Sequence, residues 1–197
     1  MKAKETFAYF NQIKVNIRFS GVMSETADAC IVPQYDNCAS LSGVSAAFIH
    51  SPAASRIIEF QNYIKEKKKL MPNEVYCTSG NKNYQYLIHT PVLRTPQSNF
   101  TPSIKTIIET CTFSAIECAS KKQAKSIVIP SMNTGKNGIL TYKNASHAIL
   151  AAIKRFSTLD SSINEVTIAI INEKAFVEYS AMLAAIQLTN CSTGANN

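Results

Sequence analysis

The chain has 197 residues, enough for one domain with a sizeable core and few for two. With 46% hydrophobic and 17% charged residues it has the balance of a folded globular protein, and no stretch approaches the ~20 apolar residues of a membrane-spanning helix. A formal charge of +7 and a pI of about 9.1 favour anionic partners such as nucleotide phosphates, RNA or acidic proteins, without choosing among them.

The opening MKAKETFAYF holds no apolar run of signal-peptide length, so a cytoplasmic protein is expected. From Ile13 to Phe19 apolar and polar residues alternate, which predicts a half-buried strand ending at Gly21. Ala29 to Val32 predicts an interior strand stopped by Pro33, followed by a loop to Gly43. Ala46, Ala47, Ala53, Ala54, Ile57 and Ile58 then recur at helical spacing, with Pro52 kinking or dividing the segment. The basic run Lys65 to Lys69 reads as the solvated end of that helix ahead of Pro72.

Glu74 to Cys77 and Tyr86 to Leu93 predict two further strands around a turn at 78–83. Thr101 and Pro102 predict an N-cap and first helical position. Behind them Ile104, Ile107, Ile108, Cys111, Ala115 and Cys118 form one stripe, which makes the two cysteines core thiols. Ser126 to Ile129 is a strand closed by Pro130, and a helix from Tyr142 to Phe156 is capped by Thr141. Val166 to Ile171 predicts a last strand, and Asn172 caps a last helix carrying Phe176, Tyr179, Leu183 and Ile186. Residues 1–188 are expected as a single domain and 189–197 as a disordered tail. Alternating strands and helices predict a three-layer α/β/α sandwich with a mixed, largely parallel central sheet.

The six cysteines, at 30, 38, 77, 111, 118 and 191, form no C-x-x-C pair and are too dilute for a disulfide scaffold, so reduced thiols are expected. No metal constellation and no cofactor motif stands out. With only six glycines in the chain, their placement is informative. Gly43, in LSGVSAAF, and Gly135 and Gly138, in SMNTGKNGIL, all fall in strand-to-helix loops. A phosphate needs several converging backbone N–H groups, and a glycine removes the Cβ that would block its approach.

Taken in order, DACIV (28–32), SGVSAAFIH (42–50), YLIHTPVL (86–93), SIVIPSMNTGKNGI (126–139) and VTIAIINEKAFVEY (166–179) resemble the macro domain family over roughly residues 12 to 187. The resemblance implies binding of ADP-ribose, free or on a protein, and in some members its hydrolytic release or deacetylation of its acetyl ester. It implies Asp28 as acceptor for the adenine amino group, or Ala29 at that position if the alignment runs through Val32. Ser42, Gly43, Val44 and Ser45 would line one phosphate loop, and Ser131, Asn133, Thr134, Gly135, Lys136, Asn137, Gly138 and Ile139 the other. Asn172 and Phe176 would border the adenine.

The departures bear on catalysis. PQYDN stands where the family shows Asn-Ala-Ala-Asn, and Ser45 where one hydrolytic branch has an aspartate. A hydroxyl is too weak a base near neutral pH without an activating partner, which leaves Asp36 and Asn37 as the candidate catalytic pair. Three functions remain open: a binder of ADP-ribose or an ADP-ribosylated protein, an ADP-ribosyl hydrolase or O-acetyl-ADP-ribose deacetylase, and an RNA or oligoadenylate module using the basic surface.

Overall fold

The computed structural model describes residues 4–37, 41–93, 103–132 and 140–193. The strands are β1 (Glu5–Phe10), β2 (Ile13–Phe19), β3 (Ala27–Tyr35), β4 (Tyr76–Asn81), β5 (Tyr84–Leu93), β6 (Ser126–Pro130) and β7 (Glu165–Ile170). Between them lie α1 (Gly43–Ile49), α2 (Ala54–Lys67), α3 (Ile104–Lys121), α4 (Tyr142–Phe156) and α5 (Glu173–Thr193). One sheet orders the strands β1-β2-β7-β6-β3-β5-β4. Its inner five are mutually parallel, and an antiparallel partner closes each edge, β1 on β2 and β4 on β5.

Strand alternation sorts the apolar residues into two layers. Val15, Ile31, Ile88, Ile127, Ile129, Val166 and Ile168 face α3, α4 and α5 in the larger core, whereas Cys30, Val32, Leu87, Val128 and Ala169 face Phe48 of α1 and Ile57 of α2. This is the expected α/β/α sandwich. Helix starts follow local chemistry. The Ser103 hydroxyl accepts from Thr106 N (3.2 Å) and Thr141 from Asn144 N (3.3 Å), each tying down an N–H that the first helical turn leaves unpaired.

The observed boundaries differ from the sequence reading at several points. The first strand, β1, escaped it because Phe7 and Tyr9 point outward while Ala8 and Phe10 point inward, so its apolar residues do not alternate with polar ones. Within the described residues α3 is capped by Ser103; Thr101 and Pro102 lie outside them. The turn expected at 78–83 is mostly strand, since β4 reaches Asn81, whose Oδ1 then accepts from Asn83 N (2.9 Å) and Tyr84 N (3.1 Å) to turn the hairpin. Gly80 permits that tight return: a Cβ there would stand 2.0 Å from the Tyr84 carbonyl oxygen. Helix α5 continues through Thr193, into the segment expected as a tail.

Pro33 does not end its strand. β3 continues to Tyr35, with a register shift against β5 between Pro33 and Tyr35. A proline fits because the ladder to β6 runs over Ala29–Ile127 and Cys30–Val128, short of Pro33, whose carbonyl accepts the Ser42 hydroxyl instead (2.5 Å).

Candidate functional site

In a parallel sheet every strand delivers its following segment to the same edge, and a crevice opens where neighbouring strands send their chains to opposite faces. Here that happens between β3 and β6. The chain leaving β3 passes to α1 on the smaller-core face, and the chain leaving β6 passes to α4 on the larger-core face. The β3–β6 ladder runs over Ala29–Ile127 and Cys30–Val128 and stops short of Pro33.

On the β3 side, Ser42 caps α1. Its Oγ accepts from Ser45 N (3.0 Å) while donating to Pro33 O, and the buried Ser45 hydroxyl donates to Ser42 O (3.1 Å). The segment 42–45 is thereby pinned to the end of β3. Gly43 follows in open space: an added Cβ would meet nothing within 4 Å, and its φ is not positive. Neither packing nor backbone conformation demands glycine there, which leaves room for something to approach the main chain. Val44 is half-buried against the smaller core.

On the β6 side, Ser131 Oγ lies 3.3 Å from the hydroxyl of Tyr179, which couples the end of β6 to α5. Burial raises the Tyr179 pKa, so this phenol stays protonated. Asn133, Thr134, Gly135, Lys136, Asn137, Gly138 and Ile139 lie outside the described residues.

The ends of β2 and β7 supply an apolar border. Asn172 is exposed; its Oδ1 accepts from Ala175 N (3.0 Å) and its carbonyl from Phe176 N (2.9 Å), which starts α5. Phe176 meets Phe19 edge to face at 6.0 Å. Phe19 is 39% exposed and Ile171 79% exposed, and a Cβ on Gly21 would sit 3.5 Å from Ile171 Cγ2. The sequence reading passed over Phe19 and Ile171, treating them as strand interior. The signal against that was positional: each is the last apolar residue before a loop at the carboxyl edge.

Asp28 and Ala29, which the family resemblance put against the adenine, sit at the start of β3, toward the amino edge of the sheet. Asp28 Oδ2 accepts from Lys125 N (2.6 Å) and Ser126 N (3.1 Å), and Asp28 N donates to Ser126 Oγ (3.0 Å). The carboxylate thus staples the start of β3 to the start of β6, at the amino edge. Ala29 is fully buried, paired with Tyr86 and Ile127. At ~3.3 Å per residue, Asp28 lies about 20 Å from the carboxyl edge.

Asp36 is buried with Oδ2 3.4 Å from Lys69 Nζ, and its carbonyl accepts from Leu70 N (2.8 Å). It anchors the segment after α2. Asn37 is exposed. Beneath α2, His89 is buried between Gln34 Nε2 (3.2 Å from Nδ1) and Thr78 Oγ1 (3.1 Å from Nε2), with Phe60 stacked on its ring at 4.5 Å. Burial depresses its pKa to about 3, so it is a neutral structural imidazole. Among the described residues no cluster of histidine, cysteine and acidic side chains is suited to hold a metal ion, and no helix is long and apolar enough to cross a membrane.

The model of the Macro domain family matches residues 36–148, more than half of the chain. The macrodomain of Oceanobacillus iheyensis, solved with ADP, superposes with a TM-score of 0.79 at 22% identity, covering 94% of this chain and 98% of that one. The Trypanosoma brucei macrodomain, solved in complex with ADP-ribose, superposes with a TM-score of 0.71 at 17% identity, covering 86% of this chain and 68% of that one. No curated protein sequence matches this one.

Proposed function

Because the chain belongs to the Macro domain family, we propose that it binds ADP-ribose, free or attached to a protein, in the crevice between the carboxyl ends of β3 and β6. The observation that carries this reading is that the chains leaving two adjacent parallel strands go to opposite faces, from β3 to α1 and from β6 to α4. A diphosphate lodged there would meet backbone N–H groups at the start of α1, which is how proteins hold phosphates without a metal. The open space at Gly43 supports close approach on one side. The exposed edge formed by Phe19, Ile171 and Phe176 offers the adenine an apolar and aromatic border. That relatives of the same fold were solved with ADP and ADP-ribose agrees with this ligand class.

The reading is of a binder more than a hydrolase. Ser45 spends its hydroxyl on the first turn of α1, and Asp36 is ion-paired with Lys69, so neither is poised to activate water. Isothermal titration calorimetry with ADP-ribose tests the binding. Heat with one-to-one stoichiometry, weaker for ADP and weaker again for AMP, supports the reading. A Kd above about 1 mM, less than about 4 kcal/mol of binding, overturns it. Release of free ADP-ribose from a modified protein would replace the binder with an enzyme.

A further inference from the structure

Strand β1 forms one border of the sheet: it pairs with β2, and among the described residues no strand pairs with its other side. Its register runs unbroken from Glu5↔Arg18 to Phe10↔Ile13, so no bulge twists the edge away, and its sequence ETFAYF holds neither lysine nor proline. Bulges, lysines and prolines are the usual devices that keep an open edge from pairing. The direction of its backbone groups follows from the bonds around it. Phe19 N donates to Lys4 O (2.9 Å), while Lys14 N and Ser20 N turn the other way, to Asn164 O (2.9 Å) and Ile170 O (3.0 Å). By antiparallel alternation Lys4, Thr6, Ala8 and Phe10 bond to β2, and the N–H and C=O groups of Glu5, Phe7 and Tyr9 point outward.

The side chains at the same positions are open as well. Phe7 is 53% and Tyr9 56% exposed; their rings meet edge to face at 6.1 Å, and Lys14 Nζ stands 5.0 Å from the Phe7 centroid. They lie on the face that α1 and α2 leave bare, since the smaller core takes no residue from β1 or β2.

We propose that β1 is a dimerisation edge, pairing antiparallel with β1 of a second copy of this chain about a two-fold axis through Phe7. That register sets Phe7 opposite Phe7 and Glu5 opposite Tyr9, so each outward residue meets an outward residue and every such pair exchanges two N–H···O=C bonds. A slip by one residue would set outward groups against inward ones. The exposed rings become cross-strand aromatic neighbours. Charge fits too: Tyr9 lies beside Lys14 of β2, so Glu5 of one copy falls in the same row as Lys14 of the other. At the axis no like charges oppose each other, because Phe7 is flanked by Asn16. One edge thus carries both halves of the match, which a second copy supplies without any further partner.

Sedimentation of the full chain between about 1 and 300 µM brackets the Kd, on the order of 10 µM, expected of an interface one strand wide and smaller than the standard ~1,600 Å². The wild type should pass from monomer to dimer across that range. Phe7→Lys sets two cations face to face, and Phe7→Pro removes an N–H that β2 does not use; each should weaken the dimer about tenfold or more. Phe7→Cys should close an intermolecular disulfide under mild oxidation, because an opposed hydrogen-bonded pair sets its Cα atoms about 5.5 Å apart. Tyr9→Cys, displaced by about 13 Å along the strand from its copy, should cross-link about tenfold less. The wild type oxidised alongside gives the background from the native cysteines, and thermal melts establish that each variant is folded. A wild type that stays monomeric throughout overturns the proposal, whether or not the edge then takes up a strand of another protein. So does a dimer that persists unchanged in Phe7→Lys and Phe7→Pro, or one in which Tyr9→Cys cross-links as well as Phe7→Cys. None of these readouts depends on ADP-ribose binding.

Discussion

Replacing Asp28 by alanine separates a staple of the sheet from a ligand contact. The substitution removes an acceptor held at 2.6 Å from Lys125 N and 3.1 Å from Ser126 N, and leaves both N–H groups to water or to nothing. A hydrogen bond to a charged group contributes about 1.5–3 kcal/mol, and partial exposure keeps these two at the lower end, so the pair amounts to about 3 kcal/mol. For a chain of this size that corresponds to a fall in melting temperature of about 6–12 °C. Asp28→Asn keeps one acceptor oxygen without its charge and should lose about half as much. Melts followed by circular dichroism read the stability, and calorimetry at a temperature where both variants are folded reads ADP-ribose affinity, which should stay within about twofold because Asp28 lies ~20 Å from the crevice. A variant that melts like the wild type but loses more than tenfold in affinity would refute this placement of Asp28.

Acidification should act through His89, whose native pKa of about 3 lies below the ~6.5 of an unfolded chain. Below pH 6.5 the unfolded state takes up a proton that the native state refuses, so stability falls with pH. Between pH 6.5 and 5 the loss is about 2 kcal/mol, and His89→Gln should flatten that part of a plot of melting temperature against pH. Gly80→Ala forces a Cβ to within 2.0 Å of the Tyr84 carbonyl and should cost about 3 kcal/mol or more, visible as a melting point at least ~6 °C lower. Ser45→Ala removes the donor to Ser42 O and should cost about 1 kcal/mol. If a hydrolytic activity is detected, its loss in Ser45→Ala with the fold intact would contradict the structural role given to that hydroxyl.

The layering was legible in the chain because burial on two faces leaves a simple trace. Ile127, Val128 and Ile129 are all apolar and go alternately to the two cores, as a strand covered on both sides must. The caps at Thr141 and Asn172 were equally legible, since a short polar side chain three residues ahead of an unpaired N–H has one obvious use. The start of α1 after the β3 loop was legible too, with Ser42 as its cap and Gly43 as its first residue. Chain direction also bears on Asp28: a residue at the start of an interior strand belongs to the amino edge, whereas the loop following the strand belongs to the carboxyl edge. Cys118 was read as core because it shares the stripe of Cys111, yet it lies close to the end of α3, where the helix reaches the rim of the core. Helical periodicity reports which face a residue is on, but not how far along the helix the cover extends.

The strand order also constrains how the chain can assemble during synthesis. β7 lies between β2 and β6, so the N-terminal hairpin has no permanent neighbour in the sheet until residues near the far end of the chain arrive to bridge it. Such distant pairing makes for slow folding, and until the bridge forms, the aromatic-rich β1–β2 ribbon carries an unmatched strand edge open to misassociation. A nascent chain stopped short of Glu165 should leave that hairpin sensitive to protease while β3, β4, β5 and β6 have already begun to gather.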